Sequence, residues 1–366
     1  MHLRSIDRGF LLATTLLVVV GFAIFMSAAL GLAARQNVSY TVVVIKQFLV
    51  GIVIGAALLF SFASMSYRRW RHWALWIFIV GLLACVAVFL PKIGFSYNGS
   101  HRWLNLGPLS FQPSELLKFG AIIYFAAWIA KVKKGISTVR HGLVPLLIIV
   151  GLVGGLLIKE PDTGTCIVLV TALVAMFITA GGKWRHVIIM FLVGILALGV
   201  LAIARPYVMQ RFLTFLNPSQ NSLSSGYQIQ QALIAVGSGQ VFGRGFGQGV
   251  QKFDFLPEPA GDSIFAVAAE EFGFIGALIL IGLIIFFALR GYKIATQTLE
   301  PFGMSLVVGF VTIIVVQSFV NISSMLAVLP LTGIPLVFVS QGGTAMLFAL
   351  AEVGIVLNIS KNGKRV

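Results

Sequence analysis

Five carboxylates fall within eighteen residues of this chain: Asp254, Glu258, Asp262, Glu270 and Glu271. The whole chain of 366 residues has only eleven Asp and Glu. Pro257 and Pro259 stiffen the approach, and an apolar run begins at Ser263. Asp262 therefore stands at the mouth of an expected membrane helix, where the helix dipole favours a negative charge. Two readings of it are open: it caps the helix, or, held ionised at a lipid–water boundary, it serves as a general base. Glu270 and Glu271 lie about 12 Å deeper at 1.5 Å per residue. Two adjacent carboxylates at that depth cannot both face lipid cheaply. At least one is expected at a helix–helix interface, with Lys118 as its candidate partner.

Other charged residues stand in equally unusual places. Glu115 and Lys118 are three apart on one face of an apolar run, which demands a partner, water or a polar cavity. Glu160 and Asp162 sit in the tight connection Lys159–Thr165. Five cations, Arg102, Arg205, Arg211, Arg244 and Lys252, share the side of the membrane expected for Asp262 and are candidates for an anionic group. The run Gly243–Gly249, GRGFGQG, alternates glycines. It reads either as a flexible loop or as a nest of amides around an anion. Asn321, Pro330, Gly333, Pro335, Ser340 and Gln341 place polar and helix-breaking residues at membrane depth, where they suggest a broken helix lining a cavity.

The elements that must position these residues are membrane helices. The chain is 58% hydrophobic and 10% charged, with mean hydropathy +1.00, which excludes an ordinary soluble domain. About ten spans are expected: 10–33, 41–63, 74–91, 113–130, 142–158, 164–181, 187–204, 263–289, 302–328 and 334–359. The first apolar run is too long for a signal peptide and reads as a first span. The net charge of +15 needs no nucleic acid. Lys and Arg gather at Arg4 and Arg8, Arg68–Arg71, Lys131–Arg140, Lys183–Arg185, Arg290–Lys293 and Lys361–Arg365, the alternate connections of an N-in, C-in topology. The expectation is an all-α polytopic membrane protein, one domain over 1–366, with a long structured extracytoplasmic loop, 205–262, between spans seven and eight. Within that loop, Gly226–Ala235 reads as a short amphipathic helix suited to a membrane interface. Asn98–Gln112 reads as a loop leading to Pro113 at the first turn of span four. Gly51 and Gly55 mark close helix packing in span two. Cys85 and Cys166 imply no disulfide framework, and no metal-ligand cluster is evident.

Taken together the motifs resemble the shape, elongation, division and sporulation (SEDS) family over almost the whole chain. The residues that carry the likeness are Asp7-Arg8; Arg102-Trp103; Gln112 to Glu115 with Lys118; Pro161-Asp162 with Gly164-Thr165; and Phe215 to Pro218. They continue through Gly226-Tyr227-Gln228, Leu256 to Asp262, Glu270-Glu271 and Gly273, Asn321-Ile322, Leu329-Pro330, Gly333 to Pro335, and Ser340 with Gly342-Gly343. The chain departs from the family's usual pattern at Ala260-Gly261, Glu160 and Gln341. The form of Asp7-Arg8 and of Glu258 to Ser263 is more like the division branch, FtsW, than the elongation branch, RodA.

The resemblance implies a peptidoglycan glycosyltransferase that polymerises lipid II, working with a class B penicillin-binding protein and other divisome or elongasome membrane proteins. It implies that Asp262 is the catalytic base at the outer end of span eight. Arg102, Glu115, Lys118, Asp162, Arg205, Arg211, Arg244, Lys252 and Glu258 are then expected to bind substrate, and Glu270, Glu271, Asn321, Ser340 and Gln341 to line a cavity. No cofactor is evident; a divalent cation, Mg or Mn, on the pyrophosphate is compatible with the chemistry. The competing expectation is a lipid II flippase, for which the polar residues inside the bundle would form the path.

Overall fold

A computed structural model describes residues 6–36, 38–90, 94–97, 100–106, 109–204, 206–216 and 225–362. Among them, eight helices are long and apolar enough to cross a membrane. They are Arg8–Gln36, Arg69–Ala87, Trp184–Ala204, Ile264–Thr296, Pro301–Met325 and Gly343–Asn362, with Tyr40–Ser64 and Val139–Lys159. Two further helices occupy the other expected places. Pro113–Val132 carries Glu115 and Lys118, and Thr163–Thr179 is a shorter apolar helix of 17 residues. In chain order these ten are called spans one to ten.

Local chemistry starts the helices where the sequence predicts. Pro113 and Pro301 open spans four and nine, where a missing N–H costs nothing. Asp7 accepts from the Phe10 amide at 2.8 Å and so caps span one. Its carboxylate also pairs with Arg290 at the far end of span eight, with N–O distances of 2.7 and 2.8 Å. Tyr67 donates to Glu300 at 2.7 Å, and its amide donates to Asn358 at 3.0 Å. These contacts gather the ends of spans one, two, eight, nine and ten, so the cation-rich connections of the sequence lie at one end of the bundle and Asp262 at the other.

Span nine is the central post, buried along most of its length between spans four, six, eight and ten. Span seven is its opposite. Phe191, Leu196 and Ile203 are 67%, 70% and 84% exposed, a surface suited to hydrocarbon rather than water. Gly51 and Gly55 face span ten. A Cβ on Gly55 would come within 2.5 Å of Leu350, the close approach that the glycine pair predicts.

Three stretches correct the sequence reading. The expected loop ahead of span four is a three-stranded antiparallel sheet, β1 (Gly94–Tyr97), β2 (Ser100–Leu106) and β3 (Leu109–Phe111), with Phe95 opposite Trp103 and Leu104 opposite Phe111. The second correction concerns span ten, which starts at Gly343 rather than 334. Residues 326–342, though apolar, form no helix. Pro330, Pro335 and Gly333 at φ 68° prevent it. Side chains replace the missing backbone bonds. Asn321 donates to the Ile334 carbonyl at 2.8 Å, Gln317 to Pro335 at 3.1 Å, and Ser340 accepts from the Leu336 amide at 2.8 Å.

The third correction is in span eight, which breaks at Gly273, φ 66°, instead of running straight. Residues 240–245 dock into the break and satisfy the backbone groups it frees. The Glu270 and Glu271 carbonyls accept from the Arg244 and Gly245 amides at 3.0 Å each, while Phe274 donates to the Gln240 carbonyl at 2.9 Å.

Candidate active site

Asp262 ends a stiff turn. The Glu258 carbonyl accepts from the amides of Gly261 and Ser263 at 3.0 and 3.3 Å. Span eight begins one residue after Ser263, its N-cap residue, whose side chain makes no cap hydrogen bond. Among the described residues, no hydrogen bond from the first turn of span eight to the Asp262 carboxylate supports the cap reading. The Asp262 carboxylate instead accepts a hydrogen bond from Gln228 Nε2 at 3.1 Å, and Gln228 also donates to Ser263 Oγ at 2.9 Å. The Asp262 carbonyl accepts from Asn321 Nδ2 at 2.7 Å. Because Asn321 also holds Ile334, one amide group ties the head of span eight to the non-helical segment 326–342. Gln341 ties the same segment a second time, its amide donating to the Ala260 carbonyl at 2.7 Å.

Gln228 lies on the helix Ser225–Ser238, within the stretch expected to be amphipathic. Its apolar side, Ile229, Ala232 and Ala235, is buried against span eight, and Gln228 is the polar residue this packing presents to Asp262. The carboxyl of Asp262 is pushed up to about 6, by burial first and then by the neighbouring Glu258, while the Gln228 hydrogen bond and the Arg211 guanidinium pull it down. A carboxylate tuned toward neutrality and still partly exposed suits proton abstraction. Arg211, on the helix Pro206–Leu216, reaches the Thr332 carbonyl and Thr163 Oγ1 at 3.4 Å each, beside the same segment.

The remaining expected ligands divide. Arg102, on β2, donates to the backbone carbonyls of Glu160 and Pro161 and keeps part of its side chain exposed. Arg205 lies outside the described residues, as do Asn217, Pro218 and the tail cations Lys364 and Arg365. Asp162 is 1% exposed and caps span six, accepting from Thr165 N at 3.2 Å and Thr165 Oγ1 at 2.9 Å. That corrects its expected place among substrate ligands: both oxygens serve the helix start. Arg244 stands 3.8 Å from Glu270 and keeps 42% of its side chain exposed.

Lys252 is a clearer correction. It is fully buried, with Nζ at 2.6 Å from Glu271 Oε1, 2.7 Å from Ser27 Oγ and 2.9 Å from the Gly247 carbonyl. All three ammonium donors are used, and none is free for an external anion. This pairing also replaces the expected contact between Lys118 and the carboxylates of span eight. The glycine run turns out to be an amide nest filled from within the chain. Gly247 N donates to Glu271 Oε2 at 3.1 Å, and Val250 N to Glu270 Oε1 at 2.9 Å. Glu270 and Glu271 thus lock the segment 244–252 to span eight and line no open cavity.

Glu115 and Lys118 form the structural ion pair, 2.9 Å apart and 5% and 3% exposed. Both side chains are buried and spent on each other, which corrects their expected role as substrate ligands. Gln317 accepts from Lys118 at 2.8 Å. The polar cavity they border, between spans four, nine and ten, measures only about 10 Å³, at the lower limit for one water. At that volume it does not hold a sugar. Ser340 bonds backbone rather than facing a cavity, and the Gln341 side chain is exposed. Among the described residues no group of three or more His, Cys, Asp or Glu side chains could hold a metal ion.

The roles of three participants escaped the sequence reading. Gln228 was visible as part of Gly226-Tyr227-Gln228 and as one of several glutamines on an amphipathic stretch, but its bond to Asp262 was not. Ser27 is an isolated hydroxyl in span one. Glu352 is a lone carboxylate in span ten, and an ionisable residue inside an apolar span is itself a signal.

Known proteins resemble this chain in sequence and in fold. A family model described as "cell cycle protein", covering FtsW, RodA and SpoVE, matches residues 8–365. The chain is 34% identical over 357 residues to stage V sporulation protein E of Bacillus subtilis, covering 98% of this chain and 97% of that one. It is 34% identical over 360 residues to a probable peptidoglycan glycosyltransferase FtsW of Coxiella burnetii, covering 97% and 96%. Among solved structures, a chain from a peptidoglycan synthase complex described as coordinating polymerisation and crosslinking superposes with TM-score 0.80, at 27% identity and 98% coverage of both chains. The rod shape determining protein RodA of Thermus thermophilus gives 0.72, at 26% identity over 99% and 98% of the two chains.

Proposed function

The chain belongs to the FtsW, RodA and SpoVE family, and from that premise we propose that it is a peptidoglycan glycosyltransferase polymerising lipid II at the outer face of the bacterial cytoplasmic membrane. Asp262 is the base. It takes the proton of the acceptor sugar's 4-hydroxyl, and that oxygen attacks the anomeric carbon of the donor. The new glycosidic bond forms as the bond from that carbon to undecaprenyl pyrophosphate breaks, and the leaving group carries away the electron pair. Arg211 and Arg102, with Arg205, are the cations for the pyrophosphate. Glu258 acts on Asp262 through its charge.

The observation that carries the reading is the hold on Asp262. A carboxylate at the end of the bundle, oriented by Gln228, tuned to about 6 and faced by Arg211, has the equipment of a base beside an anionic leaving group. Its placement where a lipid-anchored substrate presents its sugars to water supports the same role. The partner in this account is a class B penicillin-binding protein, in keeping with the neighbour drawn from a polymerising and crosslinking complex. The biological setting is division, as for FtsW, or elongation, as for RodA.

The test is polymerisation of lipid II by the purified protein in detergent, alone and with a cognate transpeptidase. The account expects glycan strands in at least one condition. No polymer in either, from protein that remains monodisperse and binds lipid II, would favour the flippase.

A further inference from the structure

Glu352 is 4% exposed, nine residues into span ten, and lines the cavity of about 10 Å³ with Glu115, Lys118 and Gln317. Among the described residues none gives it a hydrogen bond and no cation lies within ion-pair distance. The described ammonium nearby, Lys118, is 2.9 Å from Glu115 and bonded to Gln317. The ionisable groups facing Glu352 are Glu115 and Lys118, both from span four; spans one, two, eight and nine present none to it.

Charge balance then decides the occupant. Two ionised carboxylates and one ammonium leave a net negative charge in an apolar interior, which is far costlier than neutralising it. Glu115 is the carboxylate in contact with Lys118, 2.9 Å from its Nζ, and Glu352 is the one left without a cation at ion-pair distance. We propose that Glu352, with the Glu115–Lys118 pair, forms a proton-binding site inside the membrane domain, in which Glu352 holds the proton and donates it to the cavity. At about 10 Å³ the cavity is at the lower limit for the one water that would accept it. The lining is otherwise apolar: Ile313, Ile314, Val337, Ala345 and Ala349. That set supplies too few oxygens for a metal cation, which takes six or more.

The site also touches the active end. Gln317, which accepts from Lys118, donates to the Pro335 carbonyl, next to Ile334, which Asn321 ties to Asp262. Loss of the Glu352 proton would draw Lys118 toward a second carboxylate and pull on that chain. The proton site itself is independent of the glycosyltransferase reading, and its test needs no activity.

The experiment is infrared spectroscopy of the purified full chain in detergent, reading the protonated-carboxyl C=O band across pH in water and in D2O. The variants are Glu352→Gln, Glu115→Gln and Glu160→Gln, each first checked for a monodisperse profile. The wild type is expected to show a band at pH 7 that Glu352→Gln removes. Glu115→Gln should also remove it, because Glu352 then gives up its proton to pair with Lys118. Glu160→Gln should leave this band and remove a different one. Three results would overturn the site: a spectrum unchanged by Glu352→Gln, a Glu352 band that survives Glu115→Gln, or a band that vanishes when sodium replaces choline at constant pH.

Discussion

Lys252 Nζ lies 2.6 Å from Glu271 Oε1, with both side chains inside the protein, and the two residues belong to segments that sequence reasoning kept apart. The pair fastens the long connection between spans seven and eight to the broken part of span eight. Removing one partner leaves a buried charge alone, which costs about 3–5 kcal/mol. Lys252→Met should therefore lower the thermal unfolding midpoint in detergent strongly, while Lys252→Met with Glu271→Leu should recover most of the loss. Opposite reversal of Lys118 and Glu271 should give no rescue, since Lys118 pairs with Glu115 instead.

The Asp262 carboxyl sets a pH dependence whose sign is fixed. A base with a pKa of about 6 is active ionised, so the rate falls as pH drops through 6. Gln228 donates to the ionised form, so Gln228→Leu should move this acid limb to higher pH. Glu258 opposes ionisation, so Glu258→Gln should move it to lower pH. The kcat/KM profile of each variant reads this. No shift in either variant would mean that neither residue acts through Asp262, and a shift opposite to the one stated would remove that residue from the account.

Glu160 gives a stability linkage at the same end of the bundle. Its carboxyl is wholly buried, with the Cys85 thiol as its neighbouring donor, and is pushed up to about 8, by burial first and then by Asp162, against the pull of Cys85 and Arg102. The folded protein then holds a proton that the unfolded chain, at about 4.5, releases. Stability should fall as pH rises from about 4.5 to 8, by at most about 1.4 kcal/mol per pH unit from this group. Glu160→Gln should flatten that slope, so its advantage over wild type should grow with pH across the window and level off above 8.

Gly273 is the hinge on which the docked segment depends. With φ at 66° and a Cβ that would sit 2.3 Å from the Gly243 nitrogen, it admits no side chain without moving residues 241–243. Gly273→Ala should cost about 1–3 kcal/mol in backbone strain and expose 240–251 to limited proteolysis. Protection equal to wild type would contradict the docking.

What the sequence made legible follows from physics that acts along the chain. Hydropathy and the alternation of Lys and Arg place the spans, and Asp262 stands out because a carboxylate before an apolar run is rare. Residues 326–342 misled because apolar composition does not distinguish a helix from a segment bonded to Asn321, Gln317 and Ser340. The glycines of 243–249 advertised an anion nest, but nothing local says that the anions are Glu270 and Glu271, more than twenty residues on. Lys252 looked available for the same reason: its partners, Ser27 and Glu271, are distant in sequence.

The central claim is that Asp262 removes a proton in glycan polymerisation. The most direct measurement compares wild type with Asp262→Asn, reading strand formation from lipid II and lipid II binding on the same preparations. The Asn side chain keeps the shape and can still meet Gln228, so binding should stay within a few-fold while polymerisation falls by at least about 10²-fold, as expected for loss of a general base. Asp262→Asn that polymerises at a rate near wild type would contradict the account.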